Sequence, residues 1–184
     1  DLIKMFIGNP EAEQRMEFYI MIKKVFENIF RPDSPQEVLT DGNNFLMYLH
    51  QTEVFAILSQ RAIDEESYQC KSEAASAVLL ASSFFPDQLF YEFIIEHNVI
   101  PIISQYVDSD SEVQKYVLSS LLSIINLITK LPEIDRIQLF QRLTEADIFK
   151  SVEEIASENQ DKELAEKAHE VLVKYNSLNE IFGT

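Results

Sequence analysis

The sequence predicts an all-α protein, and three observations carry that expectation. Leu, Ile, Glu, Ala and Lys are abundant, while only 3 glycines and 6 prolines occur. That balance favours helices over a barrel or a sandwich. Apolar residues recur at three- and four-residue steps, most plainly at Val113, Val117, Leu118, Leu121, Ile125 and Ile128, which is one broad face of a helix. A phrase of short helix, middle helix and long inner helix returns after about 40 residues, the signature of a stacked solenoid.

Taken in order, residues 1–7 form a short apolar lead, ended by Gly8-Asn9-Pro10. Asn9 suits an N-cap and Pro10 a first helical turn. Residues 11–30 are dense in apolar side chains on more than one side, so the helix needs covering by neighbours. They read as the inner helix of an incomplete first unit. Arg31-Pro32-Asp33-Ser34-Pro35 is a break, with Ser34 as a cap for a helix opening at Pro35. Residues 36–40 read as a brief helix, 41–44 as a turn, and 45–49 as further apolar chain. Thr52 is expected to cap a helix over 53–62. Residues 68–85 read as an inner helix with the small apolar positions Ala74, Ala75, Ala77, Val78 and Ala81.

Residues 88–97 and 101–107 are the two shorter helices of the next unit, joined by Asn98-Val99-Ile100-Pro101. Its inner helix covers 112–130, capped by Ser111 and stopped before Pro132. Residues 133–143 read as a helix burying Ile134, Ile137, Leu139, Phe140 and Leu143. Residues 146–157 read as another, and 161–175 as the last inner helix. The tail from 176 to 184 is expected to fray. Ala75, Leu118 and Ala168 hold matching places in three inner helices, spaced by 43 and 50 residues. In such a stack the inner helices line a concave surface.

Composition narrows the function classes. The 184 residues carry 31 acidic against 15 basic side chains, a formal charge of -16. A surface this acidic repels nucleic-acid phosphates and anionic membranes and suits a basic partner. No apolar run of about 18 residues exists, so no membrane span is expected. Cys70 is the single cysteine, which points to a reducing cytoplasmic or nuclear compartment. No secretory signal is read. A start at Asp1 without methionine fits a piece of a longer chain, with Leu2, Ile3, Phe6 and Ile7 set to meet upstream repeats.

The stretches EAASAVLLASS and FIIEHNVIPIISQYVDSDSEVQKYVLSSLLSII resemble successive armadillo repeats of the importin-alpha type. The segment EADIFKSVEEIASENQDKELAEKAHEVLVKY is similar to the last repeat of that family. The likeness spans roughly residues 38–175. It implies a right-handed α-solenoid of about four armadillo-type repeats, one domain over 1–184. It also implies a non-catalytic scaffold that holds a peptide or protein segment in a concave groove, with nuclear protein import as the family's use.

That family grips an extended basic peptide with a tryptophan and, one turn later, an asparagine on each inner helix. Indole faces hold lysine and arginine stems, and the amide pins the peptide backbone. Carried over, the tryptophan place falls on Ser76, Ser119 and His169, and the asparagine place on Leu80, Ser123 and Val173. None keeps the family residue, so the shelf for a nuclear localisation peptide is absent from these units. Acidic residues on the groove rims, Glu73, Glu112, Glu163, Glu166 and Glu170, remain as attractors of a basic segment; the plainer reading is a solvated charged face. Two further readings belong to other classes: a nucleotide-exchange regulator of seventy-kilodalton heat-shock chaperones, or a structural segment of a larger helical scaffold.

Other chemistry finds little footing. Asp108, Asp110 and Glu112 lack the mid-loop glycine and closing glutamate of a calcium loop and read better as helix-start residues. His50, His97 and His169 are distant in sequence, with no second His or Cys at metal-ligand spacing. Cys70 reads as a small apolar filler. No glycine-rich phosphate loop or nucleophile elbow occurs. The expectation is therefore no enzyme, no cofactor and no metal. Arg15, Lys23, Lys24 and Arg31 are expected to pair with Glu13, Glu17 and Glu27 one helical turn away.

Overall fold

The structure is a computed structural model that describes residues 11–182. Among the described residues ten helices follow one another: α1 (Ala12–Ile29), α2 (Gln36–Gln51), α3 (Val54–Asp64), α4 (Tyr68–Ser82), α5 (Asp87–Glu96), α6 (Val99–Tyr106), α7 (Ser111–Ile128), α8 (Glu133–Glu145), α9 (Phe149–Glu158) and α10 (Lys162–Phe182). No strand occurs among the described residues. The all-α class is as the sequence predicts. None of the described helices is long and apolar enough to cross a membrane. The apolar lead, the Asn9 cap and the contacts expected of Leu2, Ile3, Phe6 and Ile7 lie outside the described residues. The chain divides into two compact units, Asp1–Ile102 and Ile103–Thr184.

In the first unit, α4 is the central helix. Ala74, Ala75, Ala77, Val78 and Ala81 are fully buried, and α1 and α3 both pack on it. Short side chains let neighbouring helix axes come close. Around this stripe sits an aromatic core. Phe26 stacks on Phe55 at 6.3 Å, Phe55 meets Phe93 edge-on at 5.1 Å, and Phe85 stacks on Phe93 at 4.1 Å. Each such fully buried side chain contributes about 1.5–3 kcal/mol.

The close approach of α1 carries Arg15 and Lys23 out of water and gives them long-range partners besides any one helical turn away. Arg15 is buried and donates to both carboxylate oxygens of Glu65, at 2.5 and 3.1 Å. Lys23, also buried, lies 2.8 Å from a Glu73 oxygen on α4. A charge removed from water needs a partner within reach, and the long-range glutamates supply it. The Arg15 guanidinium holds the Glu65 carboxyl below its ordinary 4.5, against the opposing effect of burial.

Several local expectations are corrected. The turn at 41–44 is absent, because α2 runs unbroken through Gly42. Gly42 is buried there, and an added Cβ would overlap Ile29 Cγ2 and stand 3.3 Å from the Phe30 ring. Glycine is the residue that lets the end of α1 lie this close. Thr52 does not cap α3. Its hydroxyl donates to the Tyr48 carbonyl at 2.8 Å, closing the end of α2, and Glu53 turns the chain with φ 62°. Ser34 makes no side-chain cap; Pro35 precedes α2 in extended geometry. α6 opens two residues before Pro101, after Asn98 at φ 52°. A proline in the first turn removes no helical hydrogen bond.

In the second unit α7 packs against α10, and α10 against α9. Asp110, not Ser111, caps α7: its Oδ1 accepts from the Glu112 and Val113 amides at 3.0 and 3.1 Å. α8 buries Leu139, Phe140 and Leu143, but Ile134 is 72% exposed and Ile137 is exposed as well. At 100° per residue Ile134 falls on the side opposite the buried three, and Ile137 at the margin beside Phe140. The tail expected to fray is helical to Phe182. Leu178 extends the buried stripe of Leu164, Ala168 and Val171, and Phe182 reaches Phe140 at 5.6 Å.

Two measurements check this account. Arg15→Ala, which leaves the buried Glu65 only Arg61 at 3.7 Å, lowers unfolding free energy in urea by about 3 kcal/mol, while Arg15→Met with Glu65→Leu recovers most of it. The pair's stabilisation is complete above the ordinary carboxylate pKa and is lost as pH falls through the lowered folded value, so the gap between Glu65→Gln and the parent closes below about pH 4.5. Gly42→Ala adds helix propensity of about 1 kcal/mol but overpacks by about 1–3 kcal/mol, for a net loss near 1 kcal/mol in the same assay.

Candidate functional site

The final helix exposes a flank that its neighbours leave open. α10 is amphipathic, with Leu164, Ala168, Val171 and Leu178 inward. Beside that stripe run Ala165, His169 and Val173 at four-residue spacing, which places them on one line along the helix. With Ala156 of α9 and Glu166 and Lys174 of α10 they line an open concavity of about 550 Å³. Val173 is 53% exposed, and Glu166 and His169 are exposed beside it.

The polar edge of α10 is held by α7. Lys167 donates to Ser119 Oγ at 2.6 Å, and Lys174 to Asn126 Oδ1 at 3.0 Å. Lys174 also pairs with Glu170 at 3.2 Å. Burial lowers the Lys167 pKa, opposed by Glu163 and Glu170. Of the residues expected to line a groove, Glu166, His169 and Val173 stand together on this flank. Ser119 is taken up by Lys167 and by a bond to the Lys115 carbonyl at 2.6 Å, and Ser123 is half-buried on the same helix. Glu112 is exposed in the first turn of α7, next to its Asp110 cap.

On α4 the expectation fails. Ser76 is 1% exposed, Leu80 is buried, and Glu73 is engaged by Lys23. The reason lies in α1, whose apolar surface needs a cover and takes that side of α4.

A second cluster was not legible from sequence spacing. His50 ends α2, and Glu96 and His97 end α5, yet the His97 Nε2 lies 3.4 Å from the His50 Nδ1. One ligand-type atom from each of His50, Glu96 and His97 lies within 4.8 Å of the others. The rings of Phe85 and Phe93 pack on His50, and Phe93 on His97 at 4.7 Å. Burial, aided by His50, lowers the His97 pKa to about 4, so the ring is neutral at physiological pH. Two histidines 47 residues apart meet because two helix ends meet; no local motif encodes that. Cys70 is buried, and burial followed by Glu65 raises its thiol to about 11, keeping it protonated and inert.

No family model and no curated protein matches this chain. Among solved structures it is similar to an engineered protein whose crystal structure came from the Northeast Structural Genomics Consortium. That likeness has a TM-score of 0.65 and 16% identity, and it covers 95% of this chain and 61% of the other. This chain thus spans 61% of the engineered protein's length, and at that identity the likeness shows an all-helical fold alone.

Proposed function

We propose that this chain is a non-catalytic protein-binding scaffold that holds a short basic peptide segment along the open flank of α10. The observation that carries the reading is the 550 Å³ concavity itself. It joins an apolar floor, Ala156, Ala165 and Val173, to the acidic Glu166. An aliphatic peptide side chain fits the floor, and a lysine or arginine beside it meets the carboxylate. The formal charge of -16 draws such a segment in from a distance.

The finer form of the proposal is an armadillo-type solenoid of about four repeats, similar to importin-alpha. Supporting it, helices three apart in sequence pack on each other within each unit: α1 on α4 in the first, α7 on α10 in the second. Stacked three-helix repeats produce that relation. With Ser76, Ser119 and His169 at the tryptophan places, the peptide is held by an aliphatic and acidic surface and not by an indole ladder.

Fluorescence anisotropy with labelled Lys/Arg-rich peptides carrying interspersed leucines tests this. Binding weakens with salt. Glu166→Lys and Val173→Asp each weaken it about tenfold, or about 1.4 kcal/mol, whereas Ile134→Ser on α8 does not change it. Equal affinity in all four proteins overturns the proposal.

A further inference from the structure

We propose that His50, Glu96 and His97 form a binding site for one divalent transition-metal ion of the zinc class, which ties the end of α2 to the end of α5. Three features of the geometry point there. First, zinc–nitrogen bonds of about 2.0–2.1 Å in a tetrahedron set two ligand nitrogens about 3.3–3.4 Å apart. The ring nitrogens of His50 and His97 are separated by 3.4 Å. That distance is long for a hydrogen bond and matches one edge of a zinc tetrahedron.

Second, His97 is only 5% exposed and its Nδ1 has no hydrogen-bond partner. A buried imidazole left with one long contact is costly. A metal bond at Nε2 gives the ring a strong interaction that offsets its burial. It leaves the ring proton on Nδ1, where it meets no acceptor, so the gain comes from the Nε2 bond alone. Third, the charge balance is right. Glu96 supplies an anionic oxygen within the 4.8 Å cluster, and its exposed side chain can swing onto the ion. Both helix C-termini add partial negative charge. On the other side Phe85 and Phe93 wall the histidines off. Three protein ligands leave a fourth position for water, reached from the Glu96 side.

The test uses the whole chain, stripped with chelator and titrated with zinc chloride or cobalt(II) chloride. Zinc at a hundredfold excess over its Kd raises Tm by about 5–11 °C. Cobalt(II) gives the visible absorption of a tetrahedral site. His50→Gln and Glu96→Gln, at positions outside the core, remain folded by circular dichroism and lose at least about tenfold in zinc affinity. His169→Gln leaves binding unchanged. No zinc-dependent Tm shift in the parent chain overturns the site. So does a shift that persists in both His50→Gln and Glu96→Gln, or one that disappears in His169→Gln.

Discussion

Small side chains along α4 set the distances in the first unit. Ala74, Ala75, Ala77, Val78 and Ala81 are all fully buried, and they contribute little volume between helix axes. Alanine loses no rotamer freedom on burial, so a helix surrounded by neighbours can be made of it at low entropic cost. α1 and α3 both settle on this helix. Everything else in the unit answers to that close approach. The Phe26, Phe55, Phe85 and Phe93 rings pack on one another in the same unit. Gly42 lets the end of α1 pass over α2.

The same closeness creates the electrostatic demands. Arg15 and Lys23 sit on a helix whose surroundings leave no room for water around them. Each takes a carboxylate from a distant part of the chain, Glu65 or Glu73. Such pairs add little net stability against an apolar substitute, but losing one partner is expensive. They fix how α1 sits on α4 through geometry and charge together. Glu73 is therefore occupied in holding the fold.

The second unit solves the contact between α7 and α10 with neutral acceptors. Ser119 and Asn126 receive Lys167 and Lys174. Those bonds hold one edge of α10 and leave its other flank free, where Ala165, Glu166, His169 and Val173 line the concavity. An open surface persists there because the inward stripe of α10 is already satisfied by Leu164, Ala168, Val171 and Leu178.

Periodicity alone determined that this protein is built of helices and roughly where each one lies, because a three- and four-residue apolar rhythm has one backbone solution. The likeness to armadillo repeats, not the periodicity, singled out His169 and Val173, with Glu166 as an acidic rim residue of the same helix. Helix ends were less legible. Asp110 and Ser111 are both good caps, and only the backbone geometry at the turn chose Asp110. A glycine amid Asp and Asn has the local chemistry of a turn, yet Gly42 lies inside α2, with Ile29 packed where a Cβ would stand. Tertiary structure alone decided which faces were covered and which distant residues met. It buried Ser76 and Leu80, drew Arg15 to Glu65, and set His97 against His50. Those outcomes depend on how helices far apart in sequence pack, and no local pattern of residues carries that information.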